Sequence, residues 1–351
     1  MLLVLAMAAA LWGIGAVMGT PARLRLGMIA GLWAAVVLAQ LALPEGNGLR
    51  VATGGDARVW LALGAVAALV LAYRAGLNTL RRRAVAAEPK EEPRPDKLRP
   101  AELDRYARHI LLREIGGPGQ KRLKAAKVLV VGAGGLGSPV LLYLAAAGVG
   151  TIGVIDADVV DTSNLQRQVI HTDARIGMPK VFSAEMAMRA LNPFIEVRPY
   201  HRRLDADVAA ELIADYDLVL DGTDNFDTRY LVNRICAQRG KPLIAAAITQ
   251  WEGQMSLYDP VRGGPCFECV FPTRPAPGMV PTCAEAGVAA PLPGVIGAMM
   301  AMEAVKQITD AGEGLRGRLM IHDALYAETR VIGVKPRADC AACGGQGSGE
   351  G

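Results

Sequence analysis

A glycine-rich loop between an apolar strand and an apolar helix, in the stretch 127–158, restricts the fold more than any other feature of the chain. Lys127–Val131 is short, apolar and rich in valine, which is typical of a buried parallel strand. Glycines in the spacing G-x-G-x-x-G follow, and they permit a tight turn and a close approach of the backbone to a phosphate. The glycines of this loop are Gly132, Gly134, Gly135 and Gly137.

An acidic residue, Asp156, ends the next predicted strand, Thr151–Ile155. In sheets of parallel strands a carboxylate at this position can accept hydrogen bonds from a ribose. The helix between the two strands, with Pro139 near its start, directs free N–H groups and the positive end of its dipole at an anion held by the loop. The stretch therefore predicts a bound nucleotide, and glycines required only for packing are the alternative interpretation.

Strand-like and helix-like segments alternate after the loop. The predicted strands are Ile195–Pro199, Asp217–Asp221 and Pro242–Ala246, and the predicted helices are Pro179–Leu191, Asp207–Asp215 and Phe226–Arg239. This order predicts an α/β fold with a doubly wound, mostly parallel sheet. Later strand-like segments lack long helices between adjacent pairs, which predicts an antiparallel extension. These segments are Gln254–Tyr258, Arg318–His322 and Thr329–Val334.

The first part of the chain is strongly apolar and predicts a transmembrane region over residues 1–80. Helices are expected at about 2–19, 26–43 and 59–73, because segments of about 18–20 apolar residues span a hydrocarbon core of ~30 Å. The third segment is marginal by length. A cleaved signal peptide is the alternative for the first segment, and the absence of a basic stretch before it weighs against that alternative.

Basic residues predict the orientation of these helices. Arg23 and Arg25 separate the first two segments, and Arg74 and Arg81–Arg83 follow the third. The positive-inside rule then places the N-terminus outside and the remainder of the chain in the cytosol. We therefore expect a multi-pass protein of the inner (plasma) membrane whose large C-terminal domain is cytoplasmic.

Composition divides the rest of the chain. Residues 81–100 are rich in Pro, Glu and Lys without an apolar period, which predicts a flexible linker. A single folded domain is expected over 101–344, and the glycine-rich residues 345–351 are expected to be a disordered tail. The net charge of +4 gives no reason to expect a nucleic acid as partner.

Two C-x-x-C pairs carry the most specific metal-binding signal. The four cysteines are Cys266, Cys269, Cys340 and Cys343. Four thiolates on two such turns suit a tetrahedral Zn²⁺ ion and leave no position open for water, so the metal would be structural. Disulfides and a redox dithiol are the alternatives, and a reducing cytosol disfavours disulfides.

Two polar clusters follow predicted strands near the glycine loop. Ser163–Gln168 contains Arg167, whose guanidinium could make planar contacts to phosphate oxygens, and Lys180 could add a point charge. For each basic residue alone, a solvated surface charge is the alternative. The turn Asp221–Asn225 could simply cap the next helix, or Asp224 could hold Mg²⁺ between phosphate oxygens.

A series of motifs in one order resembles the ThiF/MoeB/HesA family, the bacterial relatives of ubiquitin-activating enzymes. The motifs are RYARHILL (Arg105–Leu112), VVGAGGLGS (Val130–Ser138), D-x-D and SNLQRQ (Asp156–Gln168), GMPK (Gly177–Lys180), LDGTDN (Leu220–Asn225), the two C-x-x-C pairs and TCAEAGV (Thr282–Val288). The likeness is MoeB-like, covers Pro100 to Gly344 and leaves out the predicted membrane helices.

The resemblance implies an ATP-dependent adenylyltransferase. Its substrate would be the C-terminal Gly-Gly carboxylate of a small, ubiquitin-like sulfur-carrier protein (MoaD/ThiS-like), activated as an acyl-adenylate with release of pyrophosphate for cofactor biosynthesis. The positions that match the family's ATP-binding residues are Asp156 for the ribose, Asn164, Arg167 and Lys180 for the phosphates, and Asp224 for Mg²⁺. Arg108 matches an arginine finger supplied by the neighbouring subunit, which implies a homodimer.

The resemblance leaves several points open. Cys283 lies where some family members form a covalent link to the carrier and others do not. The chain ends soon after the second cysteine pair, so sulfur is expected from a separate donor protein. The carrier and its pathway, molybdopterin, thiamine or another, stay undecided. The alternatives are activation of another carboxylate on a modified tRNA or a peptide, an NAD-linked oxidoreductase, and a non-catalytic membrane scaffold.

Overall fold

The computed structural model describes residues 1–54, 56–87, 97–276, 279 and 283–344, with the backbone alone at Asn78, 81–87 and 283–284. The chain forms two compact units, Met1–Glu92 and Pro93–Gly351. The predicted tail, 345–351, lies outside the described residues, and so do residues 88–96 of the predicted linker.

The N-terminal unit is helical. Its helices are α1 (Leu2–Val17), α2 (Ala22–Ala42), α3 (Gly48–Thr53) and α4 (Ala57–Ala87). Two helices, α2 and the Ala57–Leu77 part of α4, are long and apolar enough to cross a bilayer by length and composition, whereas α1 is shorter. These helices meet at a small apolar cluster around Trp60, and the Trp33 indole N–H donates to the Trp60 carbonyl (2.9 Å).

The predicted linker begins later than expected, because α4 continues to Ala87. Arginine and alanine dominate residues 81–87, and both are strong helix formers. The first proline after them is Pro89, so nothing in this stretch ends the helix. Residues 81–87 of the predicted flexible linker 81–100 are therefore helical.

The C-terminal unit is built on one mixed sheet of eight strands. The strands are β1 (Lys127–Val131), β2 (Thr151–Ile155), β3 (Glu196–Tyr200), β4 (Leu218–Asp221), β5 (Leu243–Ile248), β6 (Glu252–Tyr258), β7 (Arg318–Asp323) and β8 (Glu328–Gly333). Their order is β3-β2-β1-β4-β5-β6-β7-β8. The first five are parallel and the last three continue the sheet in antiparallel fashion. The predicted α/β class and the predicted antiparallel extension are thus both confirmed.

Helices cover both faces of the parallel part. They are α5 (Pro100–Ile110), α6 (Gly116–Ala125), α7 (Gly137–Ala147), α8 (Lys180–Leu191), α9 (Ala206–Ala214), α10 (Phe226–Arg239), α11 (Phe267–Val270), α12 (Cys283–Ala286) and α13 (Pro291–Thr309). Alternate residues of β1 enter two different cores. Val128 and Val130 pack with α7, α8 and α13, whereas Leu129 and Val131 pack with α9 and α10. Burial on both faces explains why this strand is a continuous apolar run.

The strand order creates a crevice at the carboxyl ends of β1 and β4. The chain leaves β1 towards β2 on one side, while β4 and β5 lie on the other, so the order reverses between β1 and β4. Ligands of open α/β sheets bind at such a reversal. Because Val131 pairs with Asp221, the glycine loop after β1 and the acidic turn after β4 lie side by side there.

Candidate functional site

The glycine loop is held in one conformation by its own backbone. Gly132 has a φ of +93°, in the left-handed region that favours glycine. A Cβ atom on Gly137 would lie 1.9 Å from the carbonyl oxygen of Gly132, so no side chain fits there. Two of the predicted glycines are therefore required by the shape of the loop itself.

The two peptide groups on either side of Ala133, within this loop, are each held by one hydrogen bond. Its N–H donates to the Asp156 carboxylate (Oδ2, 2.8 Å), and its carbonyl accepts from His171 Nε2 (2.9 Å). Since a carbonyl can only accept, His171 carries its proton on Nε2, and its Nδ1 accepts from the hydroxyl of Ser183 (2.9 Å). His171 is 5% exposed and was not identified from the sequence.

The rest of the loop presents unpaired backbone donors. Within the described ranges, the N–H groups of Gly134 to Gly137 have no hydrogen-bond acceptor. They lie at the start of α7, where the helix dipole adds positive potential. An anion of the size of a phosphate would satisfy these donors, as at other helix N-termini that follow glycine loops.

Asp156 has spare capacity to bind a ribose. Its two oxygens accept from Ala133 N–H (2.8 Å) and Asp158 N–H (2.8 Å). A carboxylate has about four lone-pair positions, so acceptors remain for hydroxyl groups. The side chain that was predicted to bind the ribose, Asp156, is thus also the one that accepts a hydrogen bond from the glycine loop.

The SNLQRQ segment, Ser163–Gln168, is partly buried and lies beside the glycine loop. A guanidinium N–H of Arg167 donates to the Asn164 side chain (2.9 Å), which lies on the same turn of chain. Arg167 also lies beside the loop, since its Cγ is 3.7 Å from the position that a Cβ of Gly135 would take. The structure thus brings Asn164 and Arg167 together beside the loop.

The ammonium group of Lys180, in the first turn of α8, is almost entirely buried. It forms an ion pair with Asp158 (2.7 Å), and the side chains of Lys180 and Asp158 are 6% and 69% exposed. Coulomb attraction holds this cation in place, and its partner is open to solvent. Asp158 belongs to the D-x-D motif in the sequence, but its role as the partner of Lys180 was not predicted.

In the turn after β4, one residue caps the next helix and a different residue has a free carboxylate. The side chain of Asn225 accepts from Thr228 N–H (3.0 Å) and caps α10. Asp224 is exposed and makes no hydrogen bond or ion pair with any residue that the structure describes. Capping therefore belongs to Asn225, and the Asp224 carboxylate is available to a ligand.

The four cysteines of the C-x-x-C pairs form one buried cluster with the geometry of a metal site. Their ligand atoms all lie within 4.8 Å of one another. The Sγ–Sγ separations are 3.8 Å for Cys266–Cys269, 3.5 Å for Cys266–Cys340 and 3.6 Å for Cys269–Cys343. A disulfide requires ~2.05 Å, whereas thiolates at ~2.3 Å around a tetrahedral ion lie about 3.8 Å apart. The spacing fits Zn²⁺ and excludes disulfides.

Donors around the cluster also suit thiolates. The Asn233 amide points at Cys266 Sγ (3.8 Å), and the N–H of Arg337 donates to Cys269 Sγ (3.4 Å). Burial raises the pKa of the Cys266 thiol, so a divalent cation is needed to keep all four sulfurs deprotonated. The site holds the segment at 340–343 against α11.

Two predicted residues are not brought to the loop within one chain. Arg108 is exposed on α5 and lines an apolar groove with the C-terminal half of α7 and with α13. That part of α7 includes Ala146, nine residues beyond Gly137, so it lies about 13 Å along the helix from the loop. Cys283 begins α12, and its side chain lies outside the described part of the chain.

Comparison with known proteins shows several similarities for the C-terminal unit. Residues 106–342 match the ThiF family. The chain is 49% identical over 247 residues to the sulfur carrier protein adenylyltransferase of Thermus thermophilus, covering 69% of this chain and 91% of that protein. It is 48% identical over 243 residues to the SAMP-activating enzyme E1 of Haloferax volcanii, covering 69% and 89%. The crystal structure of E. coli MccB has the same fold (TM-score 0.61, 24% identity, 68% of this chain and 74% of that chain).

Acid should weaken the fold through His171. Burial lowers the pKa of this imidazole, whereas the unfolded chain binds the proton near pH ~6.5. Its contribution to stability is therefore complete above about pH 6.5 and is lost as the pH falls from there towards the folded-state pKa. We expect His171→Gln to remove this part of the decline, because an amide can still donate to the Ala133 carbonyl without titrating.

The measurement is the urea midpoint of unfolding between about pH 7 and pH 5. His322→Gln is the matched control, since His322 is partly exposed on β7 and, among the described residues, its side chain hydrogen-bonds to Thr329 alone. That variant should keep the slope of the wild type. An unchanged slope in His171→Gln would show that another group causes the decline.

Proposed function

The chain belongs to the ThiF family, and from that membership we propose that it adenylates the C-terminal carboxylate of a ubiquitin-like sulfur-carrier protein. It is an adenylyltransferase of the type of the ubiquitin-activating E1 enzymes. The observation that carries the proposal is the glycine loop with unpaired N–H groups, flanked by Lys180 and by the free carboxylate of Asp224. A relative named for this activity matches over 91% of its own length.

The charges of the site fit the chemistry of adenylation. An oxygen of the carrier's terminal carboxylate forms a bond to the α-phosphorus of ATP, and the bond from that phosphorus to the bridging oxygen breaks, releasing pyrophosphate. Both reactants are anions, so cations must be fixed around them before reaction. Arg167, Lys180 and the N–H groups of the loop supply positive potential there. No general base is needed, because the carboxylate is ionised near neutral pH.

Magnesium is the cation that the free carboxylate fits. Asp224 and bound phosphates would offer the hard oxygen ligands that Mg²⁺ prefers. Bound there, the ion supplies charge that stabilises the departing pyrophosphate. Asp156 orients the ribose, and Asn164 holds Arg167 in reach of the phosphates.

The apolar groove beside Arg108 supports a homodimer. Leu112, Tyr143 and Met302 line it and are 49%, 58% and 62% exposed. Exposed apolar patches of this kind commonly mark protein interfaces. In the proposed dimer this face binds a second copy of the chain, and Arg108 completes the phosphate site of the partner.

The cysteine cluster is proposed to hold a structural Zn²⁺ ion. Four buried sulfurs at tetrahedral spacing leave no ligand position for water. Metal analysis should give about one zinc per chain for wild type and for Cys236→Ser, since Cys236 lies in α10 outside the cluster. Cys340→Ser should lose most of the metal. Zinc retained at full content by Cys340→Ser would contradict the assignment.

We further propose that the N-terminal unit anchors the enzyme in the plasma membrane with the catalytic unit in the cytoplasm. The support is the apolar length of α2 and α4 together with the arginines at 81–83. Alkaline extraction of membranes should leave the full chain in the pellet. Its appearance in the supernatant would show that the helices do not span the bilayer.

The adenylation proposal predicts ATP–pyrophosphate exchange that depends on a carrier ending in Gly-Gly. Asp224→Ala should lower the exchange rate by about 10²-fold or more, because a ligand of the metal that stabilises the departing pyrophosphate is lost. Asn225→Asp is a matched control one position along, since aspartate also caps helices well. It should retain most of the activity.

The carrier is the second variable of this experiment. A carrier lacking its last glycine should support no exchange, because the reacting carboxylate is displaced. Full exchange by Asp224→Ala, or exchange indifferent to the carrier's C-terminus, would refute the proposed function. Candidate carriers are short β-grasp proteins encoded near this chain.

The dimer predicts complementation between inactive variants. Arg108→Ala and Asp224→Ala are each expected to be inactive alone. If Arg108 acts on the partner's site, a 1:1 mixture that exchanges subunits should regain about a quarter of wild-type exchange, because half of the dimers then carry one intact site. A mixture that stays inactive after exchange would place Arg108 in its own subunit's site or outside catalysis.

A further inference from the structure

We propose that Arg229 is a positioning residue of the nucleotide site, whose buried guanidinium fixes the turn that presents Asp224. Arg229 lies in α10, beyond the motifs that carry the family resemblance. The inference rests on the proposed function, because it assumes that Asp224 binds the magnesium of MgATP. It adds a residue that touches neither metal nor nucleotide.

The guanidinium of Arg229 joins the ends of two strands. Its Nη2 donates to the carbonyls of Thr223 (2.5 Å), in the turn after β4, and of Ala246 (2.7 Å), in β5. Its Nε lies 3.9 Å from Oδ2 of Asp221, the last residue of β4. The side chains of Arg229 and Asp221 are 6% and 0% exposed.

Asp221 depends on Arg229 for its counter-charge. Its Oδ1 accepts from both the N–H (2.9 Å) and the hydroxyl (2.6 Å) of Thr223. Its Oδ2 is buried and has no hydrogen bond from any described residue. A buried carboxylate without a paired cation is strongly unfavourable, so the guanidinium cannot leave without disturbing the turn.

The result is a turn in which every polar group of Thr223 is fixed. Asp221 holds its N–H and hydroxyl, and Arg229 holds its carbonyl. The next residue is Asp224, whose carboxylate is exposed and unpaired among the described residues. The backbone from which that carboxylate extends is therefore held in place before any ligand binds. Such supporting contacts typically change metal affinity by ~10–100-fold when removed.

The test is Arg229→Lys in the full-length chain. Lysine keeps a positive charge for Asp221, but a single ammonium cannot reproduce the fixed fork that bridges two carbonyls. ATP affinity is measured by titration calorimetry, once with Mg²⁺ and once with EDTA. We expect affinity to fall about tenfold with Mg²⁺ and less than about twofold in EDTA.

A double mutant separates positioning from general packing. Asp224→Ala should show the same magnesium-specific loss, and Arg229→Lys/Asp224→Ala should lose no more than Asp224→Ala alone. Arg234→Lys is the matched control: it makes the same change on α10, at a guanidinium that binds Glu268 (2.8 and 3.0 Å) beside the cysteine cluster. Its ratio of affinities with Mg²⁺ and EDTA should equal that of wild type.

Losses of equal size with and without Mg²⁺, or additive losses in the double mutant, would overturn the proposal. If Arg229→Lys does not fold, the paired change Asp221→Asn/Arg229→Gln removes both charges, and wild-type MgATP affinity in it would overturn the proposal as well. Loss in Asp224→Ala without loss in Arg229→Lys rejects this inference alone. Unchanged MgATP affinity in Asp224→Ala rejects the assigned role of Asp224, and this inference with it.

Discussion

The hydrogen bonds that hold the two peptide groups flanking Ala133 are the constraint on which the proposed nucleotide site depends. The Asp156 carboxylate accepts from the N–H of the peptide that joins residues 132 and 133, and His171 donates to the carbonyl of the next peptide, so both planes are held. The N–H groups that follow these two planes have no acceptor within the described residues. Preorganised donors of this kind need no rearrangement when a phosphate arrives, which is why they bind anions well. Asp156 thus shapes the loop in addition to its predicted contact with the ribose.

Helix α10 links this site to the cysteine cluster. Its N-cap, Asn225, belongs to the acidic turn after β4. Arg229, one helical turn further along α10, donates a hydrogen bond to the Thr223 carbonyl in that acidic turn. Further along the same helix, Asn233 contacts Cys266 and Arg234 binds Glu268. The cysteine cluster therefore stabilises the far end of the helix that presents Asp224. The proposed structural metal would in this way support the proposed active site while staying outside the chemistry.

The sequence predicted the sheet and the exposed part of the site better than the buried part. Strand segments such as Asp217–Asp221 were identified to within about two residues, because apolar runs bounded by turn residues are local signals. The cysteine spacing likewise predicted the cluster. His171 and Arg229 were missed, since each acts through a contact more than five residues away and looks like an ordinary polar residue in the sequence. The helical residues 81–87 were assigned to the linker because the prediction followed the Pro, Glu and Lys content of the whole segment 81–100 and not the helix propensity of its first residues.

Two ion pairs near the glycine loop, Lys180–Asp158 and Arg229–Asp221, differ in how deeply they are buried. Lys180 is buried, but its partner Asp158 is 69% exposed, so an anion that arrives from solvent can approach this ion pair. In the proposed function a triphosphate supplies the negative charge that Lys180 needs when Asp158 moves away. Arg229 and Asp221 are both buried, and separating such a pair costs about 3–5 kcal/mol, so no ligand displaces it. The Lys180–Asp158 pair is open to solvent and the Arg229–Asp221 pair is closed to it, and this difference in burial supports the proposed roles of Lys180 as a substrate contact and of Arg229 as a structural residue.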